Sequence, residues 1–291
     1  MAGLLQRVES KRRQIEALRK LRAKALPPPS TERPPDPVAF ARTIGIEPDP
    51  WQADVLRSKS KRVLLNCSRQ SGKSTTASVK ALHRSIFFPG SLILLVSPSL
   101  RQSSELFRKV SEGLDRMSIK PPTDEDNKLS VAFQNGSRIV SLPGSEATIR
   151  GFSGAALIIE DESSRVPDAL YHALRPMLAV GGGALWCMTT PFGKRGHFYE
   201  AWTGPNKWER VEIPATKCPR ISPEFLEEER LSMPEWWFLQ EYMCQFGDTI
   251  DGLFTHDQIM DAHSSDIEPL FGGGLLGDGT SVDVKTLFGG G

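Results

Sequence analysis

An apolar run that ends in Gly-Lys-Ser-Thr is the first place where this sequence could do chemistry. Val63-Leu-Leu-Asn-Cys-Ser-Arg-Gln-Ser-Gly-Lys-Ser-Thr75 reads as a buried strand, a tight turn and the start of a helix. In that setting the N–H groups of the turn and of the helix N-terminus point at phosphate oxygens, so Ser68, Arg69, Gln70, Ser71, Gly72, Lys73, Ser74 and Thr75 form a candidate nucleotide cradle. Lys73 is placed to reach the β/γ oxygens, the Ser74 hydroxyl to ligate Mg²⁺, and Gly72 to let the backbone approach closely. Cys67 stands where the usual phosphate-loop pattern has its first glycine.

A phosphate loop needs an acidic centre, and Ala156-Leu-Ile-Ile-Glu-Asp-Glu162 supplies one at the end of an apolar strand. Strand ends of this kind converge on one ligand crevice. Asp161 is expected in the Mg²⁺ shell and Glu162 as the catalytic group that polarises the attacking water. Strand side chains alternate, so the pattern leaves open whether Glu160 or Asp161 faces the metal. A third strand, Ala184-Leu-Trp-Cys-Met-Thr-Thr-Pro191, ends in Thr189 and Thr190, which could touch the γ-phosphate or its water and report hydrolysis. Charge on the transferring phosphoryl group must be neutralised, and Arg69 and Arg150 are the catalytic arginines expected to do so; Arg150 could act on a neighbouring subunit.

These residues need a scaffold, and the pattern supplies it. Apolar runs at Val63–Asn66, Leu92–Ser97, Ala156–Glu160 and Ala184–Thr189 suit strands buried on both faces. Helical stretches at Lys73–Ile86, Arg101–Met117, Pro167–Leu178 and Gly196–Trp202 follow them, which predicts an α/β fold with a mostly parallel sheet flanked by helices. Leu129–Phe133 and Ser137–Leu142 flank Asn135-Gly136 and predict an added β-hairpin. Glu224–Leu231 and Glu235–Phe246 read as later helices, whose Trp236, Trp237, Phe238, Tyr242 and Phe246 are expected to pack as core or interface.

The whole chain of 291 residues has a net charge of +1, but this is a cancellation. Residues 1–26 carry eight basic and two acidic side chains, +6, and can form an amphipathic helical arm for DNA or a partner; the other 265 residues stand at −5. A Pro-rich linker is expected over 27–39, one phosphate-loop domain over 40–262, and a flexible tail over 263–291, where glycines cluster. The 4 Cys are far apart and fit reduced thiols better than a zinc knuckle or disulfides. No run of about 18 apolar residues occurs, and the basic N-terminus is no signal peptide, so a cytoplasmic chain without membrane contact is expected.

Five ordered pieces together resemble the ATPase domain of large terminase subunits, the DNA-packaging motors of tailed bacteriophages: Pro50-Trp51-Gln52, Ser68–Thr75, Val96-Ser-Pro-Ser-Leu-Arg-Gln102, Ile159-Glu-Asp-Glu162 preceded by Arg150-Gly151, and Thr189-Thr-Pro191. The resemblance covers roughly residues 45–260. It implies a RecA-like P-loop (ASCE) fold, ATP and Mg²⁺ as ligands, Gln52 as the adenine reader, Arg69 as the loop arginine of the family, and Thr189-Thr190 as the coupling motif. It further implies double-stranded DNA, a small terminase subunit and a portal protein as partners, a homo-oligomeric ring on that portal, and a place in the host cytoplasm.

Full-length members of that family continue into an RNase H-like nuclease domain. Here 29 residues follow Ala262, and Asp266, Asp278 and Asp283 lie in or beside the glycine-rich tail, so an ATPase without nuclease activity is expected. Two other readings stand beside it: a helicase-like DNA-dependent ATPase, which would call for a second RecA-like domain, and a truncated or remnant terminase that binds nucleotide or phage partners without turnover.

Overall fold

The structure, a computed structural model, describes residues 34–144, 149 and 151–247. These fall in one compact unit that ends at Gly247. The basic arm, the linker before Pro34, Arg150, the acids of the tail and the tail itself lie outside the described residues. Among the described residues eight strands form one sheet in the order β3-β4-β5-β2-β6-β7-β1-β8. They are β1 (Arg62–Cys67), β2 (Leu92–Ser97), β3 (Thr123–Asp126), β4 (Ser130–Phe133), β5 (Arg138–Pro143), β6 (Leu157–Asp161), β7 (Ala184–Thr189) and β8 (Glu209–Ile213). Across the sheet from β5 to β8 every pairing is parallel, and β3 and β4 add an antiparallel ribbon at one edge.

The helices are α1 (Pro37–Thr43), α2 (Pro50–Arg57), α3 (Lys73–Phe87), α4 (Leu100–Asp115), α5 (Asp168–Leu174), α6 (Gly196–Thr203), α7 (Pro223–Ser232) and α8 (Glu235–Met243). Alternation along the central strands gives each sheet face its own core. Val63, Leu65, Ile93, Leu95, Ile159 and Trp186 pack with apolar residues of α1 to α4. Leu64, Leu94, Ile158, Leu185 and Cys187 pack on the other face against Leu170, Leu174 and Phe198 of α5 and α6. Each such side chain contributes about 1.5–3 kcal/mol on burial, so the central strands form the rigid floor of the molecule.

The predicted strands and hairpin are present, with Gly136 at φ +83° in the turn where only a residue without Cβ sits easily. Four expectations need correction. Helix α1 begins at Pro37, inside the stretch read as linker, because proline suits the first helical position and Val38, Phe40 and Ala41 bury an apolar face. Strands β3 and β8 fall outside the sequence pattern: β3 is four polar, exposed residues, and β8 offers only Val211 and Ile213. The helix expected to run to Phe246 stops at Met243, since Cys244 turns left-handed at φ +60°. Of its aromatics Phe238 and Tyr242 are buried, whereas Trp236 and Trp237 are 41% and 44% exposed and take no part in the core.

Candidate functional site

The ends of β1, β6 and β7 lie side by side, with Asn66 opposite Thr189 and Asp161 opposite Met188. The turn after β1, the acids at the end of β6 and the threonines after β7 therefore meet. They border an open cleft of about 810 Å³ lined by Arg69 to Thr75, Gln52, Glu162 and Thr190.

Two loop residues are already anchored. The Ser68 N–H donates to the Ile213 carbonyl and the Arg69 N–H to the Glu241 carbonyl, both at 2.9 Å, so the anion cradle falls to residues 70–75, where the chain turns into α3. Gly72 caps α3 at φ +93°, and a Cβ there would lie 2.6 Å from Gln52 Nε2. Burial pushes the Cys67 thiol up to about 12, so it packs beneath the loop as an inert apolar group.

Lys73 is the centre of the site. Its Nζ lies 2.9 Å from Glu162 Oε1 and donates to Thr190 Oγ1 at 2.9 Å. Burial opposes its charge, yet the Glu162 and Asp161 carboxylates prevail and its pKa is raised. Glu162 holds φ +51°, a left-handed conformation that costs a residue with a Cβ about 1 kcal/mol. Burial, reinforced by the charge of Glu162, pushes Asp161 up to about 7 although Lys73 draws it down.

Alternation on β6 settles the two neighbouring acids. Asp161 and Ser74 both line a small cleft of about 220 Å³ that adjoins the first. Glu160 turns to the opposite face, is fully buried, and takes no part in the cleft. The threonines also divide: Thr190 reaches Lys73, while Thr189 sits behind it, donating to the Thr190 carbonyl at 2.7 Å and accepting from the Ser164 N–H at 3.3 Å.

Arg69 lines the cleft but is ion-paired to Glu241 of α8. The Gln52 carboxamide is committed at both ends, accepting from the Asp49 N–H at 2.8 Å and donating to the Gly72 carbonyl at 3.3 Å. That places it first as a brace between α2 and the loop. Sequence reasoning missed Arg220, which bonds Asp49 Oδ1 at 2.7 Å and the Ser71 carbonyl at 2.9 Å and so clamps the loop from a third direction. Lys109 and Arg165 add two more cations to the cleft wall. None of these stands in a recognisable spacing; each reaches the site only through the fold.

The ligand set fits a divalent cation held jointly with a phosphate. Asp161 and Ser74 offer one carboxylate and one hydroxyl, and among the described residues no group of three or more His, Cys, Asp or Glu converges to form an all-protein cage. Mg²⁺ commonly takes one or two protein ligands and completes its shell with phosphate and water.

Against known proteins, residues 64–261 match the family model described as terminase large subunit, T4-like virus type, N-terminal. A curated terminase large subunit of Thermus phage G20c is 29% identical over 263 residues, an alignment covering 77% of this chain and 53% of that protein. The chain thus spans about half the length of the curated relatives it matches. Among solved structures, the large terminase ATPase domain of Thermus phage P74-26 superposes with a TM-score of 0.64 at 25% identity, covering 74% of this chain and 100% of that one. A large terminase from a thermophilic bacteriophage, solved in complex with ADP, shares the fold at a TM-score of 0.58 and 13% identity, over 69% of this chain and 54% of its own.

Proposed function

The chain belongs to the terminase large-subunit family, and from that premise we propose that it hydrolyses ATP with Mg²⁺ to drive double-stranded DNA into a viral procapsid. The observation that carries this reading is the meeting of Lys73, Glu162, Asp161, Ser74 and Thr190 at the ends of three parallel strands. A part-buried lysine, two carboxylates and a helix N-terminus meeting at two adjoining clefts are the parts that phosphoryl transfer needs.

The pairing of Lys73 with Glu162 suggests the order of events. A triphosphate entering the cradle of residues 70–75 offers Lys73 a stronger, doubly charged partner, and Lys73 leaves Glu162 for the β/γ oxygens. Glu162, released, turns its carboxylate to the water in line with the γ-phosphorus and accepts its proton or orients it. Asp161 and the Ser74 hydroxyl would hold the Mg²⁺, which supplies charge neutralisation on the phosphate oxygens. Arg69, and Arg150 from a neighbouring subunit, would add positive charge at the transferring group. Gln52 supports the loop and, by family resemblance, reads the adenine.

Thr190 would sense whether Lys73 is engaged, and Thr189 would pass that state to the turn at Ser164. That link is the basis for assigning coupling to DNA movement. The working form in this proposal is a ring on the portal, loaded by a small terminase subunit, in the host cytoplasm. DNA cleavage is not assigned to this ATPase unit. Lys73→Ala should weaken binding of a fluorescent ATP analogue by about 10-fold or more, since it removes a charge-assisted phosphate contact. Unchanged affinity would remove Lys73 from the site. Double-stranded DNA with portal protein and small subunit should stimulate turnover, and its failure to do so would separate ATP hydrolysis from packaging.

A further inference from the structure

A second polar cluster lies on the far side of β6, behind the catalytic acids. Glu160 is fully buried there, and its Oε2 lies 2.8 Å from His197 Nε2. The same oxygen accepts from the hydroxyl of Ser163, the residue that follows Glu162, and Ser163 Oγ is also 3.0 Å from the ring nitrogen. The other ring nitrogen, Nδ1, faces Asp168 Oδ1 at 3.0 Å, and the His197 N–H donates to that same oxygen at 2.8 Å. The Tyr171 ring stacks on the imidazole at 4.2 Å between centroids and 12° between planes.

Carboxylates accept and do not donate, so both of them are satisfied by His197 when each ring nitrogen carries a proton. Burial alone would hold the ring neutral, but the bonds and charges of Glu160 and Asp168 outweigh it and its pKa is raised. A carboxylate–imidazole–carboxylate row buried at Glu160 and His197 is a poor way to gain stability, because apolar side chains of the same volume usually do as well or better. Such a row does fix geometry, since the Glu160 end cannot shift without leaving a buried carboxylate unpaired.

What it fixes is the catalytic turn. Ser163 opens the short helical turn Ser163–Arg165, and Glu162 directly before it is held left-handed. His197 is the second residue of α6, which follows the β7 threonines, and Asp168 opens α5. One imidazole ring therefore joins the end of β6 to the two helices behind it.

Building on the ATPase reading above, we propose that His197 is a positioning residue for hydrolysis, holding Glu160 and Ser163 so that Glu162 keeps its carboxylate in the cleft. It lines neither cleft and lies on the opposite face of β6, so its removal should act on turnover and spare binding. His197→Phe keeps the ring volume and the Tyr171 stacking but removes both donors. Its kcat should fall by roughly 10-fold or more, with KM for ATP and affinity for a fluorescent ADP analogue within about twofold of wild type. His197→Gln, which can restore one donor to Glu160, should recover part of the loss. Asp168→Asn weakens the row from its exposed end and tests it even if His197→Phe misfolds; kcat should fall several-fold at unchanged KM. Wild-type kcat in Asp168→Asn together with wild-type kcat or misfolding in His197→Phe overturns the proposal, as does a loss in which KM and kcat change together. Glu162→Gln, run in parallel, separates the two readings: wild-type turnover that dies in Glu162→Gln and survives in the His197 and Asp168 variants sinks this inference and leaves the ATPase standing. No turnover in wild type sinks both.

Discussion

Lys73 has two partners at 2.9 Å, and one of them is the group expected to activate water. That pairing makes a prediction that distinguishes the two residues. Glu162→Gln should leave ATP affinity equal or higher, because Lys73 no longer has a charged competitor, whereas Lys73→Ala should lower it. Titration of a fluorescent ATP analogue reads both. Arg220 supports a second residue-scale prediction. It clamps the Ser71 carbonyl and Asp49 without reaching the reacting atoms, so Arg220→Ala should raise KM for ATP by about 3–10-fold and leave kcat within about twofold. Equal losses in both constants would place it in the chemistry. Lys73, Ser74, Asp161 and Glu162 could be read from sequence because a phosphate loop and its acids are local patterns, fixed by the turns that follow two strands. Arg220, Glu241 and His197 could not, since single residues in loops and helices become neighbours only when distant segments fold together.

At the scale of elements, the central strands were readable because burial on both faces demands unbroken apolar runs, as in Leu92–Ser97, buried throughout. Strand β3 carries no such constraint; it lies at the sheet edge with all four residues exposed. Close packing between strands yields a stability prediction. A Cβ on Gly183 would come within 2.1 Å of the Ala155 carbonyl oxygen, part of the backbone leading into β6, so Gly183→Ala should destabilise by about 1–3 kcal/mol in urea unfolding. Helix α3 offers a pH test. His83 packs among Phe40, Phe87 and Phe88 and donates from Nε2 to the Pro35 carbonyl, and burial lowers its pKa. A lowered folded pKa means that the unfolded chain binds the proton first, so stability present above about pH 6.5 is lost as pH falls through that value. His83→Leu should flatten the melting temperature between pH 7.5 and 5.5 relative to wild type. His197, raised in the folded state, contributes with the opposite sign in both proteins and drops out of the difference.

For the whole molecule, family membership says more than the averages of its composition. A near-neutral chain is divided unevenly, and the described residues hold the complete phosphate loop, both cleft acids and both threonines. Motor coupling is expected to run through Thr189, which joins the Lys73 partner Thr190 to the turn after Glu162. Thr189→Val should therefore bind ATP normally and lose stimulation by DNA and portal protein; full stimulation would put the coupling elsewhere. All of this presupposes hydrolysis at one site. Phosphate release from ATP by the purified chain, with and without Mg²⁺, in wild type and Glu162→Gln, tests it most directly. Release should require Mg²⁺ and fall by roughly 100-fold or more in Glu162→Gln while ATP stays bound. Equal release by the two proteins, or release that ignores the metal, would contradict it.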